Sequence, residues 1–120
     1  MILPLLHTIV PHLWIELGCI RIAPLMLDRD ARRLFVHGHE VNLSRVEFDL
    51  LEILMDRPRH VIDRHTLKQV GWAGYCADRT LESTLSRLRM KVRRAGGPSV
   101  AEVVRGVGYR LGIPCPPAQH

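Results

Sequence analysis

The chain has 120 residues, 47% hydrophobic and 24% charged, which is the balance of one foldable globular domain and excludes a second large one. Seventeen Lys+Arg against twelve Asp+Glu give +5, and fifteen of those cations are arginine, whose planar fork suits phosphate oxygens and guanine edges. The excess is local: residues 79–110 hold eight cations and two acids (+6), whereas residues 1–78 hold nine and ten (−1), so an anionic partner is expected at one stretch of chain.

Residues 1–18 show no period. Pro4 and Pro11 interrupt the apolar run from Met1 to Ile20, which also contains His7, His12 and Glu16 and has no Lys or Arg before it. That pattern fits neither a signal peptide nor a membrane span, so a soluble, cytoplasmic protein is expected, with an N-terminal extension that docks on the domain or meets a partner. From Cys19 to Leu43, short runs alternate with turns: Cys19-Ile20-Arg21-Ile22, Leu25-Met26-Leu27, Arg33-Leu34-Phe35-Val36 and Glu40-Val41-Asn42-Leu43. With Asp28-Arg29-Asp30 and His37-Gly38-His39 as turns, these runs predict a small antiparallel meander.

Ser44-Arg45-Val46-Glu47 has the spacing of a capping box, in which the serine hydroxyl and the glutamate carboxylate each satisfy a free amide at a helix start. The helix it opens carries Val46, Phe48, Leu50, Leu51, Ile53, Leu54 and Met55, a broad apolar side to be buried, and Arg57-Pro58 ends it. Asp63 can cap a second helix through about Val70, followed by a loop over 71–78. A third helix is predicted from about Arg79 to Ala95, stopped by Gly96-Gly97-Pro98. At about 100° per residue, Leu81, Leu85, Leu88 and Val92 share one face, while Arg79, Ser83, Ser86, Arg87, Met90 and Arg94 share the opposite one. Residues 100–105 and 109–111 then flank Gly106-Val107-Gly108 as a hairpin, and a proline-rich, flexible tail follows over 113–120.

Three helices, the last of them basic, and a hairpin with an arginine at its tip follow the plan of a winged helix-turn-helix. In this α+β arrangement the last helix enters the major groove and the hairpin lies at the backbone or minor groove. Four segments also resemble one family: Leu43 to Leu51, Arg79-Thr80-Leu81, Ser86-Arg87-Leu88-Arg89-Met90-Lys91 and Val104-Arg105-Gly106-Val107-Gly108-Tyr109-Arg110. They look like the signature of the OmpR/PhoB-type DNA-binding domain, the effector domain of many bacterial two-component response regulators. The likeness runs from about Cys19 to Leu111. It implies an N-terminal antiparallel four-stranded sheet, three helices, a C-terminal β-hairpin and binding to tandem promoter repeats, commonly as a head-to-tail homodimer. A sequence-specific regulator of transcription is expected, with no cofactor.

Position by position, the resemblance makes Arg87 the base-reading arginine and places Ser83 and Thr84 as its groove-facing neighbours. It makes Arg79 and Arg89 backbone contacts and Arg105 the wing arginine. Lys91 and Arg94 join the DNA-binding set as cations of the same basic helix. The loop bounded by Gly71 and Asp78 matches a segment that touches RNA polymerase in some members. Ser83-Thr84 stands where the family usually has a bulkier pair, so its preferred DNA sequence does not transfer, and Gly71-Trp72 inverts a frequent Trp-Gly order. Eighteen residues before the module cannot hold a receiver domain, so either a stand-alone regulator or an excised fragment is expected.

Other chemistry finds little support. Cys19, Cys76 and Cys115 are odd in number and form no Cys-x-x-Cys pair, and His37 and His39 lack further ligands, so no metal is expected. Gly106-x-Gly108 lacks the third glycine of a dinucleotide fingerprint, and no catalytic set carries a local signature. Arg105 can also be read as an edge-strand charge that discourages aggregation. A second function stays open on the same scaffold: a protein-interaction module working through residues 1–15 or 72–76, with the basic face incidental.

Overall fold

The computed structural model describes residues 18–112; the tail over 113–120 and the extension, apart from Gly18, lie outside the described residues. The order is β1 (Cys19–Ile22), β2 (Leu25–Asp28), β3 (Arg33–Val36), β4 (His39–Val41), α1 (Arg45–Asp56), β5 (Ile62–Asp63), α2 (Arg64–Trp72), α3 (Asp78–Arg94), β6 (Ser99–Val104) and β7 (Gly108–Gly112). The first four strands form an antiparallel meander in sequence order. Its registers, Leu25 opposite Val36 and Leu27 opposite Leu34, put four apolar side chains on one face, all at most 1% exposed. Strand alternation sends Met26 and Phe35 to the other face, in a cross-strand row with Arg21 and Glu40.

Helix α1 starts where the capping box predicts. Ser44 Oγ accepts from the Glu47 amide at 3.2 Å, and Glu47 Oε1 accepts from the Ser44 amide at 2.9 Å. Its apolar side buries Phe48, Leu50, Leu51, Leu54 and Met55 in the core shared with both sheets. Arg29 reaches Asp56 at 2.8 Å and Arg32 reaches Asp49 at 2.8 Å, while the Arg32 guanidinium lies 4.3 Å from the Phe48 ring centre. These partly exposed pairs contribute about 0–1 kcal/mol each and fix orientation more than stability, which comes from the buried leucines.

Helix α2 is capped by Asp63, whose carboxylate accepts from the Thr66 amide at 3.1 Å. It runs two residues beyond the expected end. Ala73 takes a left-handed conformation, and its amide and that of Gly74 satisfy the Gln69 and Lys68 carbonyls. Gly71 and Trp72 therefore belong to α2 and Asp78 to α3, which shortens the loop to residues 73–77.

The hairpin is not alone. Ile62-Asp63 pairs with β7 to give a three-stranded sheet in the order β5-β7-β6. Two residues are too few to show a period, and the strand exists because Gly108 lets the chains close up: a Cβ there would drive into the Ile62 carbonyl oxygen. Between the Ser99–Gly112 and Glu102–Arg110 pairs the register slips by one, so Val100 and Ala101 together face Leu111 in a β-bulge.

Candidate nucleic-acid interface

Helix α3 holds its place through Leu81, Leu85, Leu88 and Val92, each 0% exposed, the face the wheel assigns to the core. The opposite arc is open: Arg79, Ser83, Ser86, Arg87, Met90, Arg93 and Arg94 are all exposed, with Met90 half so. Arg79, Arg93 and Arg94 make no ion pair with any described acid. Arg93, a further cation of the basic helix, belongs to this arc as well. Arg93 and Arg94 also lie in the last turn, where the helix dipole favours positive charge. At the hairpin tip Arg105 is exposed beside Gly106, whose φ of +79° permits the reversal closed by the Val107 amide on the Val104 carbonyl at 2.9 Å.

Three expected contacts sit at the edges of the arc and are turned to other uses. Thr84 is 4% exposed, and its hydroxyl donates to the Thr80 carbonyl at 2.9 Å, so its side chain is turned into the fold and not out along the arc. Lys91 lies one and a half to two turns beyond Thr84 on the same edge, where its ammonium donates to Glu47 Oε1 at 2.6 Å. It neutralises a buried carboxylate and is not a free cation. Arg89, on the other edge, donates through Nη1 to the Ala101 carbonyl at 2.6 Å. That carbonyl lies in the bulge, where the ladder is irregular, and the guanidinium braces the hairpin against α3.

Glu47 connects two parts of the fold. It is 3% exposed, and besides the Ser44 amide and Lys91 it faces Arg87, whose Nε lies 3.8 Å from Oε2. Burial by itself would raise the Glu47 carboxyl, but the hydrogen bonds from Lys91 and Ser44 and the charges of Lys91 and Arg87 outweigh it and hold the group below its ordinary range. Arg87 also points Nη2 at Thr84 Oγ1, 3.4 Å away, yet its side chain is 61% exposed.

The start of α3 is tied to α2. Lys68 pairs with Asp78, and Arg64 lies 3.8 Å from Asp78 and 3.5 Å from Glu82. The hydrogen bond from Lys68 is the main reason the Asp78 carboxyl lies below its usual range. These pairs link the start of α3 to α2. Between them Tyr75 stands 87% exposed on loop 73–77. His37 Nε2 lies 3.2 Å from the Gly96 carbonyl and joins the β3–β4 turn to the end of α3. Among the described residues, no helix is long and apolar enough to cross a membrane.

The family described as "Transcriptional regulatory protein, C terminal" matches residues 38–111. The transcriptional regulatory protein PrrA of Mycobacterium tuberculosis is 36% identical over 94 residues, covering 77% of this chain and 40% of PrrA. The phosphate regulon transcriptional regulatory protein PhoB of Rhizobium meliloti is also 36% identical over 94 residues, covering 77% of this chain and 41% of PhoB. The chain thus spans about two fifths of the length of these curated relatives. The DNA-binding domain of the response regulator AdeR, solved in complex with an intercistronic region, aligns with a TM-score of 0.73 at 30% identity over 78% of this chain and 99% of that one. The Klebsiella pneumoniae RstA DNA-binding domain, solved in complex with an RstA box, aligns at 0.67 and 30% identity over 78% and 96%. The resemblance in the four signature segments and the winged-helix architecture both hold, and the chain belongs to the OmpR/PhoB-type family of transcriptional regulatory C-terminal domains.

Proposed function

We propose that this domain binds double-stranded DNA sequence-specifically and regulates transcription, with α3 in the major groove and the β6–β7 hairpin at the minor groove. The observation that carries the reading is the open arc of α3, where Arg79, Arg93 and Arg94 have no described acid to neutralise them. Phosphates would supply the missing negative charge. The DNA complexes of the AdeR and RstA domains support it. Within this reading Arg87 reads a base edge, Ser83 lies beside it, and Arg79, Arg93 and Arg94 take phosphates. Arg105 enters the minor groove.

The regulator acts in the cytoplasm, pairs with a second copy on tandem repeats and meets RNA polymerase through loop 73–77, where Tyr75 supplies an exposed ring. Selection of bound fragments from a random duplex pool tests the reading. A recurring motif, bound more tightly than scrambled DNA, is the expected result. Recovery of no motif, with Tyr75→Ala abolishing capture of RNA polymerase, would favour the protein-interaction module instead.

A further inference from the structure

We propose that Glu47 is a positioning residue for Arg87 and so sets how sharply the domain discriminates one base pair, although its own side chain is buried away from the open arc. The proposal rests on the reading of Arg87 as the base-contacting side chain. Glu47 divides its two oxygens. Oε1 takes the Ser44 amide at 2.9 Å and the Lys91 ammonium at 2.6 Å, leaving Oε2 toward Arg87 Nε at 3.8 Å. Thr84 supplies the second hold: its hydroxyl donates to the Thr80 carbonyl and lies 3.4 Å from Arg87 Nη2 as an acceptor.

Both holds are fixed by the fold. Glu47 belongs to the capping box of α1 and Thr84 is buried on α3, so neither depends on DNA to be in place. A free arginine side chain samples many rotamers and loses that freedom when it is fixed on a base. An arginine aimed from two sides gives up less of it on binding, and the gain appears only where the bidentate geometry is used. Lys91 has a different task on the same carboxylate: it offsets the buried charge and leaves Arg87 to the other oxygen.

The test compares Glu47→Gln with Lys91→Met. Glutamine retains both capping bonds, so α1 should still form. Affinity is measured for a selected site, for that site with the Arg87-read base pair changed, and for random DNA. In parallel, ¹⁵N relaxation of the Arg87 Nε–Hε group reports its order in the DNA-free domain. Glu47→Gln should lower discrimination between the two sites about fivefold, change random-DNA affinity less than twofold and reduce Arg87 order. Lys91→Met should leave discrimination and Arg87 order near the wild-type values.

Equal losses of discrimination in both variants would make Glu47 only a structural ion-pair partner and overturn the proposal. So would wild-type discrimination in Glu47→Gln. If the wild-type domain itself does not discriminate, the DNA reading fails, and unchanged Arg87 order in Glu47→Gln then overturns the positioning as well. Should Glu47→Gln not fold, Thr84→Val removes the other hold from the α3 side, and wild-type discrimination in it overturns the proposal.

Discussion

Replacing Arg89 with alanine should destabilise the domain without first affecting its contact with DNA. The Nη1 group donates to the Ala101 carbonyl at 2.6 Å, and Ala101 is 0% exposed, so the guanidinium answers a carbonyl that the folded domain shields from water. A hydrogen bond from a charged donor contributes about 1.5–3 kcal/mol, and an orphaned buried carbonyl costs about 1–3 kcal/mol; these describe one loss from two sides, so roughly 2 kcal/mol is expected in total. For a domain of this size that is a fall of roughly 8–16 °C in the unfolding midpoint. Urea unfolding followed by circular dichroism measures it, with the midpoint shifting and the slope unchanged. Arg89→Gln retains a neutral donor and should recover part of the loss. A change below about 0.5 kcal/mol, together with weaker DNA binding, would refute the bracing role and return Arg89 to the phosphate-contacting set.

Arg87→Ala should lower affinity for a selected site by about 1–3 kcal/mol and relax preference at one base pair, while the unfolding midpoint moves little because Glu47 keeps Lys91 and Ser44; binding isotherms on matched and changed sites check it. Arg105→Ala should weaken binding chiefly where an A·T tract flanks the site, since a narrow minor groove concentrates negative potential; equal losses on A·T- and G·C-flanked duplexes would make it a phosphate contact, and no loss on either would leave it an edge-strand charge. Because the folded state holds the Glu47 carboxyl below its ordinary range, its ionised form contributes stability that is full above the unfolded-state value and is lost as pH falls through the folded-state one. The stability difference between wild type and Glu47→Gln should therefore shrink on acidification, and an unchanged difference down to pH values below the usual carboxylate range would contradict the assignment.

Much of this was legible in the sequence because it is local. The Ser44–Glu47 box, the four short strands and the leucine face of α3 each follow from spacing within one element. Glu47 also shows the limit: its cap is local, but its bond to Lys91 crosses 44 positions of sequence, and no periodicity reports that. Thr84 lies near the boundary of the helical wheel, where a side chain with both a methyl and a hydroxyl fits either side, and tertiary packing decided for the interior. Counting charge treated Arg89 and Lys91 as free cations; the first braces a bulge that hairpin patterning does not show, and the second answers a buried acid. The strand at Ile62-Asp63 escaped because it is defined by its partner β7, through the missing side chain of Gly108.

In the proposed function the open arc of α3 holds DNA by neutralising phosphates. Apparent affinity for one duplex, measured across a series of salt concentrations, tests it most directly. Arg79, Arg93 and Arg94 would contribute up to three phosphate contacts, so log affinity against log salt should fall with a slope of about −2 to −3 per bound domain. Arg94→Ala should reduce that slope by about one. A flat dependence, with affinity indifferent to salt and to Arg94, would contradict the account.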